Sequence, residues 1–162
     1  MQRNTEQFNA AQSLLDRLID TEQGAPDREW ISRAESVRLV KNSLRRDLEW
    51  LLNARRIAAP PLPLRELNRS VFVYGLPDFT AYTLASAPDR ARLLRDLEAA
   101  IAMFEPRLAA VTIAPLDDER RAHAMCFRIE GLLLVDPAPE PVSFDTVLEL
   151  SSGAYQVKGE AQ

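Results

Sequence analysis

PDRARLLRDLEAAIAMFEPRLAAVTI, residues 88–113, changes its apolar period part-way along, and that change decides the fold. Leu93, Leu94, Leu97, Ala100, Ile101 and Phe104 recur at the spacing of a single helical stripe, with Arg92, Arg95, Asp96 and Glu98 away from its centre. The spacing predicts a helix packed along its whole length. Pro88 suits a first turn, where its missing N–H costs nothing, and Ser86 is placed to cap it. Pro106 ends the helix by lacking a donor and by pushing Glu105 toward extended backbone. Glu105-Pro106-Arg107 is therefore a corner carrying one acid and one base, and a strand begins at Leu108.

Past the corner the pattern alternates. Ala109, Val111 and Ile113 form one apolar set; Met125, Phe127, Ile129, Leu133 and Val135 form a second; Val142, Phe144, Thr146, Leu148 and Leu150 form a third. The charged stretch from Leu116 to Arg121 and the proline-rich stretch from Asp136 to Pro141 separate them, and Ser152-Gly153 signals a hairpin before Tyr155 and Val157. Connections this short favour antiparallel pairing. The expected class is α+β, with N-terminal helices packed on one face of a mainly antiparallel C-terminal sheet.

Upstream, a long helix is expected from Trp30 or Ser32 to Arg56. Its core stripe is Val37, Val40, Leu44, Leu48, Leu51 and Leu52. Leu39 and Trp50 lie on its other side, near Ser43 and Arg46. An aromatic beside an arginine is the material of interface hot spots, so this strip is either a partner's footprint or a face that the N-terminal helix or a loop covers. Residues 1–29 read as a short amphipathic segment, with Phe8, Ala11, Leu15, Leu18 and Ile19 on a narrow apolar face, followed by a polar linker; residues 30–162 read as one domain. Between them the prolines of residues 57–70 favour an extended connection, and the turn around Gly75 and Pro77 is a loop expected to pack on the core.

Composition narrows the function. With 162 residues the chain can bury roughly 70% of its unfolded surface in one core. Its net charge of −4 opposes general nucleic-acid binding, and no apolar run suggests membrane insertion or a secretion signal, so a cytoplasmic location is expected. One histidine and one cysteine leave a metal site short of ligands; His123 and Cys126, an odd number of residues apart, would face opposite sides of a strand. Glu105 with Asp117 or Asp118 is a poor glycosidase pair, because Arg107 nearby favours the ionised carboxylate. No cofactor, metal or catalytic residue is expected.

The segments SLRRDLEWLLNARR (43–56), SVFVYGLPDF (70–79), FEPRL (104–108), FRIEGLLLV (127–135) and PEPVSFDTVLELSSGAYQV (139–157) together resemble the TssE family of type VI secretion baseplate subunits, itself similar to the contractile-phage baseplate wedge protein labelled lysozyme-like. The resemblance runs collinearly from about residue 14 to 157. It departs mildly at Phe72-Val73, where an Asn commonly precedes Tyr-Gly-Leu, and at Ala54, where Thr is common. It implies a structural role: docking on the TssF/TssG wedge, indirect contact with TssK, and a sheet on which the TssB/TssC sheath starts to grow. The family's Glu-Pro-Arg motif, associated with docking onto the wedge core, falls on Glu105, Pro106 and Arg107. The protein-binding residues expected are these three with Leu39, Arg46 and Trp50. An open strand edge near residues 154–158 would accept a sheath strand by β-augmentation. The alternative is a small cytoplasmic adaptor of the same fold that binds one partner.

Overall fold

A computed structural model describes residues 33–56, 66–67, 70–83, 86–116 and 124–159. The N-terminal amphipathic segment, Trp30, the proline-rich stretch 57–65, and Asp117, Asp118 and His123 lie outside the described residues.

Helix α1 (Arg33–Asn53) buries Val37, Val40, Leu44, Leu48, Leu51 and Leu52, the stripe its 3.6-residue period predicts. It stops three residues before Arg56 because the chain is captured by another backbone. Leu76 N–H donates to the Ala54 carbonyl (2.9 Å) and Arg56 N–H to the Leu76 carbonyl (3.0 Å). That approach needs Gly75, whose φ is +99° and whose missing Cβ would lie 2.5 Å from the Ala54 oxygen. A 3-10 turn (Val71–Val73), capped by the Ser70 hydroxyl, leads into it and buries Val73, while Val71 and Phe72 stay exposed.

Helix α2 (Ala87–Phe104) buries Leu93, Leu97, Ala100 and Ile101, with Leu94 and Phe104 partly buried against the same core. Ser86 has the extended backbone of a cap, but its hydroxyl makes no capping hydrogen bond; Pro88 sits in the first turn. Strands β1 (Leu108–Leu116), β2 (Ala124–Leu133), β3 (Glu140–Glu149) and β4 (Tyr155–Val157) form an antiparallel sheet in sequence order. Among the described residues, two α-helices followed by a four-stranded meander make the fold α+β. Phe127, Ile129, Leu133, Val142, Phe144, Leu148, Tyr155 and Val157 join the helix stripes in one core. On the opposite face of the sheet, Arg128 and Asp145 pair across β2 and β3 at 2.7 Å.

β1 departs from simple alternation. Its register with β2 shifts between Ala109 and Thr112, where Ala110 takes a φ of +50°. Leu108 and Ile113 are both buried although an odd number of residues separates them, which a strand without a bulge cannot achieve. The expected set Ala109, Val111, Ile113 therefore does not share one face. Opposite the bulge, a Cβ on Gly131 would stand 3.2 Å from the Ala109 carbonyl.

The expected open edge at residues 154–158 is closed. The outward backbone groups of β4 are taken by α1 side chains. Asn53 donates through Nδ2 to the Tyr155 carbonyl and accepts from Tyr155 N–H through Oδ1, both at 2.9 Å. Val157 N–H reaches Glu49 Oε2 (3.4 Å), and Arg45 donates to the Val157 carbonyl (3.2 Å). Asn53 thus pairs with β4 as a further strand residue would. A turn below, Arg55 lies over the Phe79 ring (4.4 Å) and donates to the Leu52 and Gly153 carbonyls, fixing the hairpin turn at Gly153. Asn53→Ala removes both partners of Tyr155 and lowers stability by about 1–3 kcal/mol. Urea unfolding of the two proteins measures this directly.

Candidate functional site

The α2–β1 corner is tied inward. Glu105 closes α2 through its N–H to the Ile101 carbonyl (2.8 Å), and its residue is only 5% exposed. Pro106 is exposed and carries the turn. The Arg107 guanidinium folds back on Glu105 as a two-point fork, Nε to Oε1 at 2.7 Å and Nη2 to Oε2 at 2.6 Å. It also reaches across to α1, donating from Nη2 to Asp47 Oδ2 (2.7 Å) and from Nη1 to Ser43 Oγ (3.2 Å). Four of the five N–H donors an arginine offers are used within the chain, and 18% of the side chain remains exposed. Its backbone carbonyl accepts from Leu134 N–H at 2.8 Å, linking the corner to the end of β2.

Burial alone would favour a neutral guanidine, but hydrogen bonds and charge from Glu105, then from Asp47, outweigh it and hold Arg107 more firmly protonated than a free arginine. Tyr74 borders the cluster, edge-on to Phe104 with ring centroids 5.2 Å apart. Burial pushes its phenol up, and the Asp47 and Glu105 carboxylates add to the shift.

The network continues outward along α1. Asp47 Oδ1 accepts from Arg46 Nη2 (3.0 Å) and Nε (3.2 Å), and the Arg46 guanidinium lies 5.1 Å from the Trp50 ring centre. Leu39, Ser43, Arg46 and Trp50 follow one another at helical spacing. Ser43 is buried where Arg107 meets it, whereas Leu39 is 42% and Trp50 52% exposed. Of the six residues expected from sequence, Arg107 and Arg46 meet on Asp47, Glu105 joins through Arg107 and Trp50 through Arg46, and Pro106 is the exposed residue between Glu105 and Arg107; Leu39 lies about one turn before Ser43 on the same helix. The sequence reading named Ser43 only as a neighbour of Arg46 and missed Asp47 as a member of this cluster. Their signal was a four-residue spacing on the polar side of α1, next to Arg46, which fits an ordinary solvated helix equally well.

Chemically the cluster is balanced, two guanidiniums against two carboxylates, with apolar rings on its flanks. It presents a hydrogen-bonded platform. Among the described residues no group of His, Cys, Asp or Glu could hold a metal ion, and no helix is long and apolar enough to cross a membrane. Replacing Arg107 leaves the buried Glu105 and the half-buried Asp47 carboxylates without their shared cation. Arg107→Met therefore costs about 2–4 kcal/mol of stability, and Arg107→Glu costs more because three acids then converge. Adding Glu105→Gln to Arg107→Met recovers part of the loss, which thermal or urea unfolding of the three variants reads out.

Comparison with known proteins bears on what this platform serves. No curated protein matches the chain. A solved chain from "The baseplate complex from the type VI secretion system" is similar at a TM-score of 0.48 and 19% sequence identity, over 68% of this chain and 94% of that one, a likeness too distant to carry weight. The family model described as "Baseplate wedge protein gp25" matches residues 38–138, a span that takes in most of α1, all of α2, the Glu105–Arg107 corner, β1 and β2. Since that match covers more than half of the 162 residues, the chain belongs to the baseplate wedge protein gp25 family.

Proposed function

We propose that this chain is the TssE-like structural subunit of a type VI secretion baseplate, docking on the TssF/TssG wedge and providing the surface from which the TssB/TssC sheath starts. The observation that carries this reading is the family match, because one unbroken span contains both the exposed α1 stripe and the corner that braces it. Contact with TssK would be indirect, and the subunit would work in the cytoplasm, in a baseplate held at the inner-membrane complex.

The geometry supports a division of labour in docking. Arg107 has spent most of its donors on Glu105, Asp47 and Ser43, so its part is to hold the corner against α1. The direct contact falls to Trp50, Arg46 and Leu39, with Pro106 exposed at the corner that Arg107 ties to the same helix. A large ring backed by a stacked guanidinium offers apolar area at little entropic cost, the usual character of a hot spot.

For the sheath, strand addition at β4 requires displacing Asn53, Glu49 and Arg45. At the other edge, β1, Glu98 already accepts from Ile113 N–H (2.9 Å), and Pro115 has no donor to give. A sheath strand would therefore enter by exchange with a side chain, which keeps the free subunit from pairing with unrelated strands.

Co-expression with TssF and TssG followed by affinity capture tests the docking. Trp50→Ala and Leu39→Asp, both at exposed positions, weaken capture by about 2 kcal/mol or more, roughly 30-fold. Arg95→Ala, on the exposed side of α2, leaves it unchanged. Equal capture of the Trp50 and Leu39 variants and the parent would remove these residues from the interface. If the parent itself fails to bind, the single-partner adaptor becomes the better reading.

A further inference from the structure

The 3-10 turn Val71–Val73 buries only Val73; Val71 is 90% and Phe72 52% exposed, and Tyr74, which follows, is 36% exposed. The turn is held at both ends. Ser70 caps it and donates to the Leu67 carbonyl (2.8 Å), while Leu76 and Gly75 lie on the Ala54 backbone. Between these ends Tyr74 packs edge-on against Phe104, close enough to Asp47 and Glu105 for their charge to act on its phenol. The stretch from Tyr74 to Leu76 therefore borders α1 at Asp47 and meets the chain again at Ala54, just past the helix end. Trp50 lies between those two points along the helix, with its ring 52% exposed. The exposed turn and the exposed ring are neighbours, and one partner surface can cover both.

We infer that the partner docking on Leu39, Arg46 and Trp50 also packs on Val71, Phe72 and Tyr74, and that it does so with an apolar segment carrying no net charge. The inference rests on the docking reading and deepens it, adding a second wall to the site and the chemistry of what enters. The charge requirement comes from the cluster between the walls. Arg107 bonds Glu105 (2.6 Å) and Asp47 (2.7 Å), and Arg46 bonds Asp47 (3.0 Å). A carboxylate brought to either guanidinium meets an acid already bonded there, and an ammonium brought to either acid meets a guanidinium; both are like-charge contacts. Other charges of α1 stand beside an opposite one, Arg38 with Glu35 (3.9 Å) and Arg45 with Glu49 (3.8 Å). An uncharged segment disturbs none of these pairs and removes Trp50, Phe72 and Val71 from water. A turn already held at both ends loses little freedom when it is covered.

The test is the affinity of the full chain for purified TssF/TssG complex, with circular dichroism and urea unfolding verifying that each variant is intact. The variants are Trp50→Ala, Val71→Ser combined with Phe72→Ser, and Leu132→Ser, an exposed position on the opposite face of the sheet. The expected result is binding weakened about tenfold or more by the double variant and unchanged by Leu132→Ser. The parent's affinity is expected to change by less than about threefold between low and high salt. Loss on Trp50→Ala with full binding of the double variant overturns the inference and leaves the docking reading in place. So does an affinity that falls about tenfold or more with salt, the mark of a charged partner segment. A parent that does not bind removes the docking reading and the inference with it. Sedimentation of the free chain covers another occupant: self-association abolished in the double variant makes a second copy the partner of the turn and overturns the inference.

Discussion

The Arg107 guanidinium is the point on which the arrangement of helices around this sheet turns. It joins the end of α2, through Glu105, to the middle of α1, through Ser43 and Asp47, and the backbone carbonyl of the same residue accepts from Leu134 N–H just past the end of β2. Only an arginine has a planar fork able to satisfy one carboxylate at two points and still reach another. Desolvating these charges is costly, and the interaction is favourable because nearly every donor and lone pair is matched. A lysine would satisfy one acid and leave the other short of a partner.

From that staple the position of α1 follows, and α1 serves several surfaces at once. Its core stripe completes the interior against the inner face of the sheet. The side chains of Arg45, Glu49 and Asn53 occupy the outward backbone of β4, so that the helix acts as a substitute for a fifth strand. Its remaining side carries Leu39, Arg46 and Trp50. A rigid-body shift of this one helix would therefore alter the exposed stripe and the closed strand edge together.

Closing the edge with side chains differs from closing it with a strand. Side-chain hydrogen bonds are individually worth about 1 kcal/mol net and can be exchanged for main-chain bonds at small cost once another strand is held nearby. Such an edge is protected against random association while staying available within an assembly. The same logic applies to β1, where a bulge, a proline and Glu98 together blunt the edge.

How much of this was legible beforehand depends on the range of the forces involved. The two core stripes, the switch from helical to alternating period after Arg107, and the turn at Ser152-Gly153 were set by local pattern, because period and turn chemistry act over a few residues. The α+β class followed from them. The position of Trp50 and Leu39 off the core stripe was likewise visible, whereas pattern left open whether that strip is exposed or covered. The bulge at Ala110 was not, since it depends on how β1 meets β2 opposite Gly131. Nor could the sequence assign Arg107 its partners on α1. Asp47 lies 60 positions away and Asn53 meets Tyr155 across 102, and contacts at that separation exist only after the helices have packed on the sheet. Local sequence determined which elements form and which faces they bury; tertiary packing decided which polar groups those faces would satisfy, because hydrogen bonds at such range are chosen by geometry that burial of the core creates.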